Sequence, residues 1–244
     1  MRKVMISYRR FFRKHSVTRL VPEKMAEMNS THMLAIIRLY LGMLDDKEFI
    51  TEFFGLPKYA VKRMEVYLRY KLIEMVDFTR DEDGFISHFI IKSIPGIKKS
   101  HAPQENLKDM DFEKFMLVDT HFSAYAAYNK PESLNGFITA LYTNNDDEYY
   151  QVIAHQPEEL KMAIYFNWVF IHRWLERRFP LVFPEASGDA EKGKPQVVQW
   201  LPVFDSFVGD DVAHIYEYKK LMIMDVLRIM NNRIKEYNKR LLKK

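Results

Sequence analysis

The sequence predicts a mainly α-helical protein: a multi-helix fold with a small β-hairpin near residues 75–91 and a long basic C-terminal helix. Glycine is scarce, with 8 among 244 residues, and both tight turns and phosphate-binding loops depend on glycine. The 14 methionines, together with many Leu, Lys and Glu, favour helices because unbranched side chains lose little freedom there. Apolar residues make up 48% of the chain, which is enough for a real core.

The first part of the chain, residues 1–20, is predicted to be a basic N-terminal arm. It contains seven Lys or Arg and no acid, and it alternates briefly at Val4 and Ile6. The pattern fits an arm that is partly extended or partly helical. Its basic cluster comprises Arg9, Arg10, Arg13 and Lys14.

Residues 21–95 are predicted to form a helical unit that carries the β-hairpin. A buried helix is expected within residues 23–44, and Asp45 or Asp46 then caps a short helix that Gly55 ends. Pro57 suits the first turn of the next helix, whose apolar stripe continues to Met75.

The hairpin itself is predicted from two β-rich runs on either side of residues 80–84. The three acids Asp81, Glu82 and Asp83 resemble part of a calcium-binding loop. Such a loop needs glycine at its sixth position and glutamate at its twelfth, whereas Gly84 comes fourth and Lys92 twelfth. A solvated turn is therefore expected here.

The connection at residues 93–110 contains two prolines and is the predicted domain boundary. Residues 111–244 are predicted to form a second helical unit that ends in the long C-terminal helix. Its helices are expected at 111–127, 131–142, 157–178, 196–207 and from 210 to 239.

Several kinds of site are excluded by the composition, and others lack the sequence motif that they require. The chain has no cysteine, so disulfides, thiolate metal sites and cysteine nucleophiles are absent, and this suits a cytoplasmic origin. Its start lacks the apolar core of a secretory signal, and no window resembles a membrane span. Neither a Walker loop nor a dinucleotide fingerprint occurs, and we expect no cofactor.

The stretch "VGDDVAHIY" is the first candidate for chemistry. Gly209 can end one helix, and Asp210 or Asp211 can cap the next by accepting backbone N–H groups. His214 follows Asp211 by three positions, so the two side chains could also hold a metal ion. Capping is the interpretation we prefer, because no further ligand motif supports the alternative of a metal-dependent hydrolase.

Two other stretches contain catalytic residue types. "VDTHFSAY" holds Asp119, Thr120, His121 and Ser123. Members of a catalytic triad must converge from separate elements, so we interpret this stretch as a half-buried helix with outward polar positions. His172 lies between two tryptophans on an apolar helix and is expected to be a satisfied core histidine.

Charge is segregated along the chain. Residues 1–20 and 219–244 each carry a net charge of +7, whereas the residues between them sum to −10. The basic ends are therefore predicted to bind partners, either an acidic surface such as that of a second copy or nucleic acid. The predicted binding residues of the second end are Arg228, Arg233, Lys235, Lys239 and Arg240.

Three segments together resemble tail-assembly and virion structural proteins of tailed phages that infect Bacteroides-type hosts, including crAss-like phages. The segments are "FEKFMLVDTHFSAY" (112–125), "LNGFITALYT" (134–143) and "WLPVFDSFVGDDVAHIYEYKKLMIMDVLRIMNNRIKEYNKR" (200–240). The likeness is one of layout: an Asp-aromatic helix, a Leu-Tyr helix, a Trp-containing helix and a long basic C-terminal helix. It contains no motif tied to a reaction.

This resemblance implies a non-enzymatic tail or neck protein, either an assembly chaperone or a ring or connector component. Such a protein would act in the virion or in the host cytoplasm during assembly. Its expected partners are copies of itself, as a homo-oligomer or ring, and other tail and neck proteins. A nucleic-acid-binding protein that uses its basic termini is the main alternative, and a metal-dependent hydrolase is the weaker one.

Overall fold

A computed structural model of the chain describes residues 1–10, 13–80, 84–143, 147–183 and 199–241. Contacts divide the chain into two compact units. Unit 1 comprises Met1–Ile86 and Glu158–Ala163, and unit 2 comprises Ser87–Pro157 and Ile164–Lys244. The connection at 93–110, where the sequence predicts a boundary, thus lies within unit 2.

The predicted fold class is confirmed, since the described residues are mainly helical with one small two-stranded antiparallel sheet and a C-terminal helix. The elements of unit 1 are β1 (Arg2–Arg10), β2 (Arg13–Val21), α1 (Ser30–Tyr40), α2 (Asp46–Phe54), α3 (Lys58–Lys62) and α4 (Val66–Glu74). In α2 the predicted ends are confirmed. The Asp45 side chain accepts a hydrogen bond from the Glu48 N–H at 2.8 Å, and Gly55 ends the helix in the left-handed conformation.

The basic N-terminal arm is a β-hairpin. β1 and β2 pair in antiparallel register, with Ile6 opposite Val17 and Arg2 opposite Val21. Residues on one face alternate with residues on the other, so Val4, Ile6 and Val17 share one face and can pack on the core. The alternation at Val4 and Ile6 is the sequence signal of this strand.

The core of unit 1 forms where this hairpin meets the helices. Ile6 and Val21 of the hairpin belong to one buried apolar cluster with Phe49 and Phe53 of α2 and Leu72 of α4. The Arg19 guanidinium also donates a hydrogen bond to the Gly55 carbonyl at 3.1 Å, which fixes β2 to the end of α2.

The hairpin predicted near residues 75–91 is wrong. Residues Asp77–Arg80 form a 3-10 turn, and the described residues from 84 to 91 form no strand, while 81–83 lie outside the described residues. The N–H groups of Ile90 and Ile91 bond instead to the side-chain oxygen of Asn167, at 2.6 and 3.4 Å. A side chain from a distant helix therefore satisfies the backbone that a partner strand would have satisfied.

Unit 2 contains the remaining helices. Its elements are α5 (Phe112–Tyr128), α6 (Pro131–Tyr142), α7 (Asp147–Ala154), most of α8 (Glu158–Arg178), α9 (Trp200–Val208), α10 (Ile215–Lys219) and α11 (Ile223–Leu241). The predicted helices at 111–127, 131–142 and 157–178 are confirmed within a residue or two. Pro131 occupies the first turn of α6, as its fixed φ angle allows.

Trp168 of α8 lies at the centre of the unit 2 core and is fully buried. The rings of Phe89, Phe115 and Phe137 each lie 6.1 Å from its ring, measured between centroids. Aromatic side chains from two helices and one non-helical segment thus pack on a single tryptophan, and such pairs add about 0.5–1.5 kcal/mol each beyond the area they bury.

The single final helix predicted from residue 210 to 239 is corrected. A 3-10 turn at Val212–His214, then α10, and a break at residues 220–222 precede α11. The break is held by backbone pairing, because the Phe112 N–H bonds to the Leu221 carbonyl at 2.9 Å and the Ile223 N–H bonds to the Met110 carbonyl at 3.0 Å. This tertiary contact overrides a locally helical sequence.

Candidate interaction surfaces

The two faces of the β-hairpin differ in polarity. Cross-strand partners share a face, and the face that carries Ile6 and Val21 is buried. The opposite face is largely exposed to water, and its side chains are a mixture of cationic, hydroxyl and apolar groups. They include Lys3, Met5, Lys14 and Leu20.

The four cations predicted at the N-terminal end lie together at the tip of the hairpin. Arg9 is opposite Lys14 and Arg10 is opposite Arg13 in the strand register. The side chains of Arg13 and Lys14 are exposed, whereas those of Arg9 and Arg10 lie outside the described residues. No acid occurs in either strand, so attraction for anions is not offset within the hairpin.

A groove of about 450 Å³ runs beside β1 in unit 1. One side of this β1 groove is formed by the consecutive strand residues Val4–Tyr8, and the other side by Leu68, Leu72 and Met75 on and after α4. Lys14, Arg63, Glu65 and Lys71 also line it. The groove therefore combines an apolar surface with three cations and one acid.

The second predicted surface is the C-terminal helix α11, whose side chains are partly buried in its first half and mostly exposed in its second. Ile223, Val226, Leu227 and Met230 are buried in unit 2. From residue 232 to 241, which we call the α11 end, every side chain except Ile234 is exposed. The apolar stripe nevertheless continues along the same face at helical spacing, with Tyr237 at 63% and Leu241 at 53% exposure.

The five cations predicted on α11 are placed along this helix but differ in what they contact. Arg228 pairs with Asp225 at 2.9 Å and Lys239 pairs with Glu236 at 2.7 Å. The Arg233 guanidinium donates to the Phe207 carbonyl at 2.9 Å and lies 5.0 Å from the Phe207 ring centre. Lys235 and Arg240 are exposed. Arg233 therefore also holds α11 against α9.

The junction after α9 only partly matches its prediction. Gly209 ends α9 with a φ of 63°, and Asp211 stands at the N-cap position of the next turn, but neither helix start has a side-chain cap. The Asp211 carboxylate instead accepts hydrogen bonds from the His214 ring at 2.6 Å and the Tyr218 hydroxyl at 3.0 Å. These bonds lower the pKa of Asp211 and raise the pKa of His214. Asp210 lies in the turn before it.

A buried polar cluster in unit 2 involves Asp119 and His172. The Asp119 carboxylate is 1% exposed and accepts a hydrogen bond from the Trp200 indole N–H at 2.7 Å. Nε2 of His172 lies 3.3 Å from the other Asp119 oxygen, and Nδ1 lies 3.0 Å from Glu176. Burial lowers the pKa of His172, but the two carboxylates outweigh burial and raise this pKa to about 9.

The hydroxyls of the "VDTHFSAY" stretch serve their own helix. Thr120 donates to the Met116 carbonyl at 2.7 Å and Ser123 donates to the Thr120 carbonyl at 3.1 Å. Asp119 and Ser123 are buried, so the predicted outward orientation is wrong for these two positions. The Asp119 carboxylate contacts Trp200 and His172, which both lie outside this stretch.

Comparison of the chain with models of protein families, with curated proteins and with solved structures finds no match.

Two properties of the described residues bear on the remaining alternatives. Within residues 1–10, 13–80, 84–143, 147–183 and 199–241, no three His, Asp or Glu side chains converge as a metal-ion site would require. The metal-dependent hydrolase suggested by Asp210, Asp211 and His214 thus gains no support from these residues. In the same ranges, no helix is both long and apolar enough to cross a membrane.

Sequence reasoning missed the Asp119–His172 pair and the β1 groove. A signal for the first was present, because Asp119 lies four residues after buried Phe115 and three before Phe122, on the apolar stripe of α5. A carboxylate on such a stripe needs a buried partner. The groove gave no such signal, since it joins a strand to a helix some sixty residues later.

Proposed function

We propose that this protein is a non-enzymatic component of tailed-phage tail or neck assembly, which acts by self-association and by docking to other tail or neck proteins. The phage part of the proposal is supported by the resemblance of residues 112–125, 134–143 and 200–240. The docking part is carried by one observation, the exposed amphipathic α11 end.

A helical segment of ten residues is not stable by itself in water, because isolated helices shorter than about 12–15 residues are marginal without packing. In α11 the buried half holds the helix in unit 2, and the exposed half continues its apolar stripe through Ile234, Tyr237 and Leu241. Burying a side chain of this size is worth about 1.5–3 kcal/mol. A partner that covers the stripe would therefore gain several kilocalories per mole.

The occupant we propose for the α11 end is a second copy of the chain. The exposed cations Lys235 and Arg240 flank the apolar stripe, and residues outside the two basic ends sum to a charge of −10. A copy of the same chain thus offers both an apolar helix face and an excess of acidic residues to the basic α11 end. In docking of this kind an amphipathic helix lays its apolar face against an apolar surface of the partner.

Size-exclusion chromatography with light scattering tests this docking. We expect the full chain to elute at a multiple of its 29.3 kDa mass. Replacing Tyr237 and Leu241 together by glutamate places two charges on the stripe and should shift the protein to the monomer. Val212→Glu, at an apolar position that is 66% exposed outside the α11 end, is the matched control and should leave the mass unchanged.

The phage part has its own test. The protein is expected in purified particles or in isolated assembly intermediates, by mass spectrometry, and its coding sequence is expected beside those for portal, tail-tube or tape-measure proteins. A monomer that joins no tail or neck protein and is missing from particles and intermediates would contradict the proposal.

A second candidate function, nucleic-acid binding, is favoured by the surface of unit 1. The hairpin carries seven Lys or Arg and no acid, and α4 exposes Tyr67 and Tyr70 beside Lys71, whose ammonium lies 4.7 Å from the Tyr67 ring centre. Phosphates are held by such cations, and bases stack on exposed aromatic rings.

Fluorescence anisotropy with labelled single- and double-stranded DNA at several salt concentrations tests this candidate. Binding through the hairpin should weaken with a log–log slope of about −0.9 per phosphate neutralised on duplex DNA, and of about −0.7 on single strands. Arg13→Glu with Lys14→Glu should abolish it, whereas Lys47→Glu on α2 should not. If no binding is measured at low salt, the candidate is eliminated.

A further inference from the structure

Strand β1 has one hydrogen-bonded edge and one open edge. Within the described chain it pairs with β2 alone, so every second residue of β1 turns its N–H and C=O away from β2. Natural proteins usually cover or blunt such an edge, because its unpaired groups form a template for another strand. Here the edge runs along the β1 groove.

The dimensions of the β1 groove suit an extended segment. Five consecutive strand residues, Val4–Tyr8, line it, and at about 3.3 Å per residue they present some 13–17 Å of backbone. Its volume of about 450 Å³ falls in the range of sites that hold a ligand. The opposite side is apolar, with Leu68, Leu72 and Met75.

The charges around the β1 groove favour an acidic occupant. Lys14, Arg63 and Lys71 line it with Glu65, and Lys3 lies on the exposed face of the same strand. The pKa of Lys71 is raised, mainly by its hydrogen bond to Tyr67, so this side chain stays cationic. The excess of cations over acids gives the groove a positive potential that attracts anions.

These observations also indicate the pattern of the occupant. A strand added beside β1 alternates its side chains between the two faces of the sheet. One set would lie on the buried face with Val4 and Ile6, towards Leu68 and Leu72. The other set would lie on the exposed face near Lys3 and Lys14.

We propose that the open edge of β1 binds an extended segment of another protein in which acidic and apolar residues alternate, as an added strand in the β1 groove. Backbone hydrogen bonds to β1 supply affinity, the apolar side chains fill the groove, and the acids pair with the cations around it. This partner site uses no residue of α11, so it goes beyond self-association through that helix and does not depend on it.

The experiment uses the full chain and three labelled seven-residue peptides in fluorescence anisotropy. The first alternates Glu and Val. The second has the same composition with the four Glu before the three Val. The third is the alternating peptide in which every second backbone nitrogen is methylated. The methylated nitrogens are those whose N–H groups would point towards β1, so the donors needed for strand pairing are removed. We expect the first to bind at least about tenfold more tightly than either of the others.

Hydrogen exchange followed by NMR gives the second readout. Binding of the alternating peptide should slow exchange at alternate amides between Lys3 and Arg9, because only every second N–H of β1 faces the open edge. Uniform protection, or protection confined to α11, would overturn the proposal.

Protein variants supply the matched controls. Lys14→Glu combined with Lys71→Glu should weaken binding of the alternating peptide about tenfold, in line with two lost partly exposed ion pairs. Lys47→Glu, at an exposed position on α2, should change it by less than twofold. Circular dichroism establishes that each variant is folded.

Three results of the binding experiments would also overturn the proposal: no binding of the alternating peptide at low salt, equal binding of all three peptides, and tighter binding of a single-stranded oligonucleotide that competes for the groove. Equal binding would mean that charge alone attracts the peptides. The oligonucleotide result would assign the surface to nucleic acid. The α11 variant Tyr237→Glu/Leu241→Glu should bind the peptide normally, so failure of self-association and failure of this site are distinguishable.

Discussion

His172 is held in unit 2 by two carboxylates, the buried one of Asp119 and the more exposed one of Glu176. The ring of Phe122 stacks near it at 5.7 Å and the ring of Phe183 meets it edge-on at 5.3 Å. A protonated imidazole in this setting neutralises a buried carboxylate that would otherwise be costly. The histidine is thus a structural partner of Asp119.

The stability of unit 2 should fall at mildly alkaline pH. The pKa of His172 is about 9 in the folded chain, against an ordinary value of 6.5, so its contribution is complete below about pH 6.5 and is lost as pH rises through about 9. The free energy of unfolding should therefore decrease between pH 7 and 9.5, by at most roughly 3 kcal/mol. Urea denaturation at a series of pH values measures this.

The variant Asp119→Asn with His172→Gln removes both charges and should flatten that pH profile. His214→Gln is the matched control, because His214 is exposed and also pairs with an aspartate. The free energy of unfolding of the His214→Gln variant should still decrease between pH 7 and 9.5, by most of the amount seen in the unaltered protein. A flat profile in the unaltered protein would show that His172 does not titrate with its partners as described.

For single residues, the sequence predicted whether a side chain is buried better than it predicted which residue that side chain contacts. The expectation of a satisfied core histidine at 172 is supported, yet Asp119 lies fifty-three positions earlier and Trp200 still further along. Asn167 is similar, since its amide bonds to Ile90 from a different segment. Such pairs are set by tertiary packing, which local spacing does not encode.

Two neighbouring helices, α5 and α6, approach each other at a glycine. A methyl group built on Gly136 of α6 would lie 2.9 Å from two ring atoms of His121 on α5. Glycine inside a helix costs about 1 kcal/mol relative to alanine, so its presence here is explained by this close contact.

Gly136→Ala should therefore destabilise the protein by about 1–3 kcal/mol, despite the better helix propensity of alanine. In a His121→Ala background the same change should be neutral or stabilising, because the ring is gone. Thermal or urea denaturation of the four proteins in this double-mutant cycle gives the coupling energy. Equal effects in both backgrounds would mean that the two helices do not meet at this position.

Helices whose ends are marked by a capping residue, a glycine or a proline could be predicted from the sequence. Asp45 and Gly55 bound α2, and Pro131 begins α6, because caps and proline act within a few residues. The breaks between α3 and α4 and before α11 were not predictable. In the second case, the backbone bonds of Leu221 and Ile223 to residues near the start of α5 interrupt an otherwise continuous helical pattern.

For the molecule as a whole, the segregated charge is the property with the widest consequences. Both ends of the sequence are basic and the residues between them are acidic, although the net charge is only +4. Opposite charges on different copies attract over roughly 8 Å at physiological ionic strength and over much less at high salt. Self-association should therefore depend on salt.

We expect the association constant measured by analytical ultracentrifugation to fall by about tenfold between 50 mM and 500 mM NaCl. The control is the urea midpoint of unfolding, which should change little over the same range because the cores of both units are apolar. Association that strengthens with salt would indicate apolar contacts alone and would contradict a role for the basic ends.

The fold class of the whole chain followed from composition, since scarce glycine and abundant unbranched side chains favour helices. The division into two units did not. Residues Glu158–Ala163 belong to unit 1 although residues 87–157 separate them from the rest of it. The carboxylate of Glu159 pairs with Arg38 at 3.2 Å, and Ala163 is fully buried. A contact across more than a hundred residues leaves no local trace in the sequence.

The pairing of Met110 and Phe112 with Leu221 and Ile223 has a consequence for the order in which the chain folds during synthesis. The ribosome adds about 5–20 residues each second, so the start of α5 emerges several seconds before its partner. Until Leu227 and Met230 have left the exit tunnel, the apolar surface that they cover in unit 2 stays open to water. In that interval the nascent chain exposes a surface that favours aggregation, and α11 covers it when it emerges.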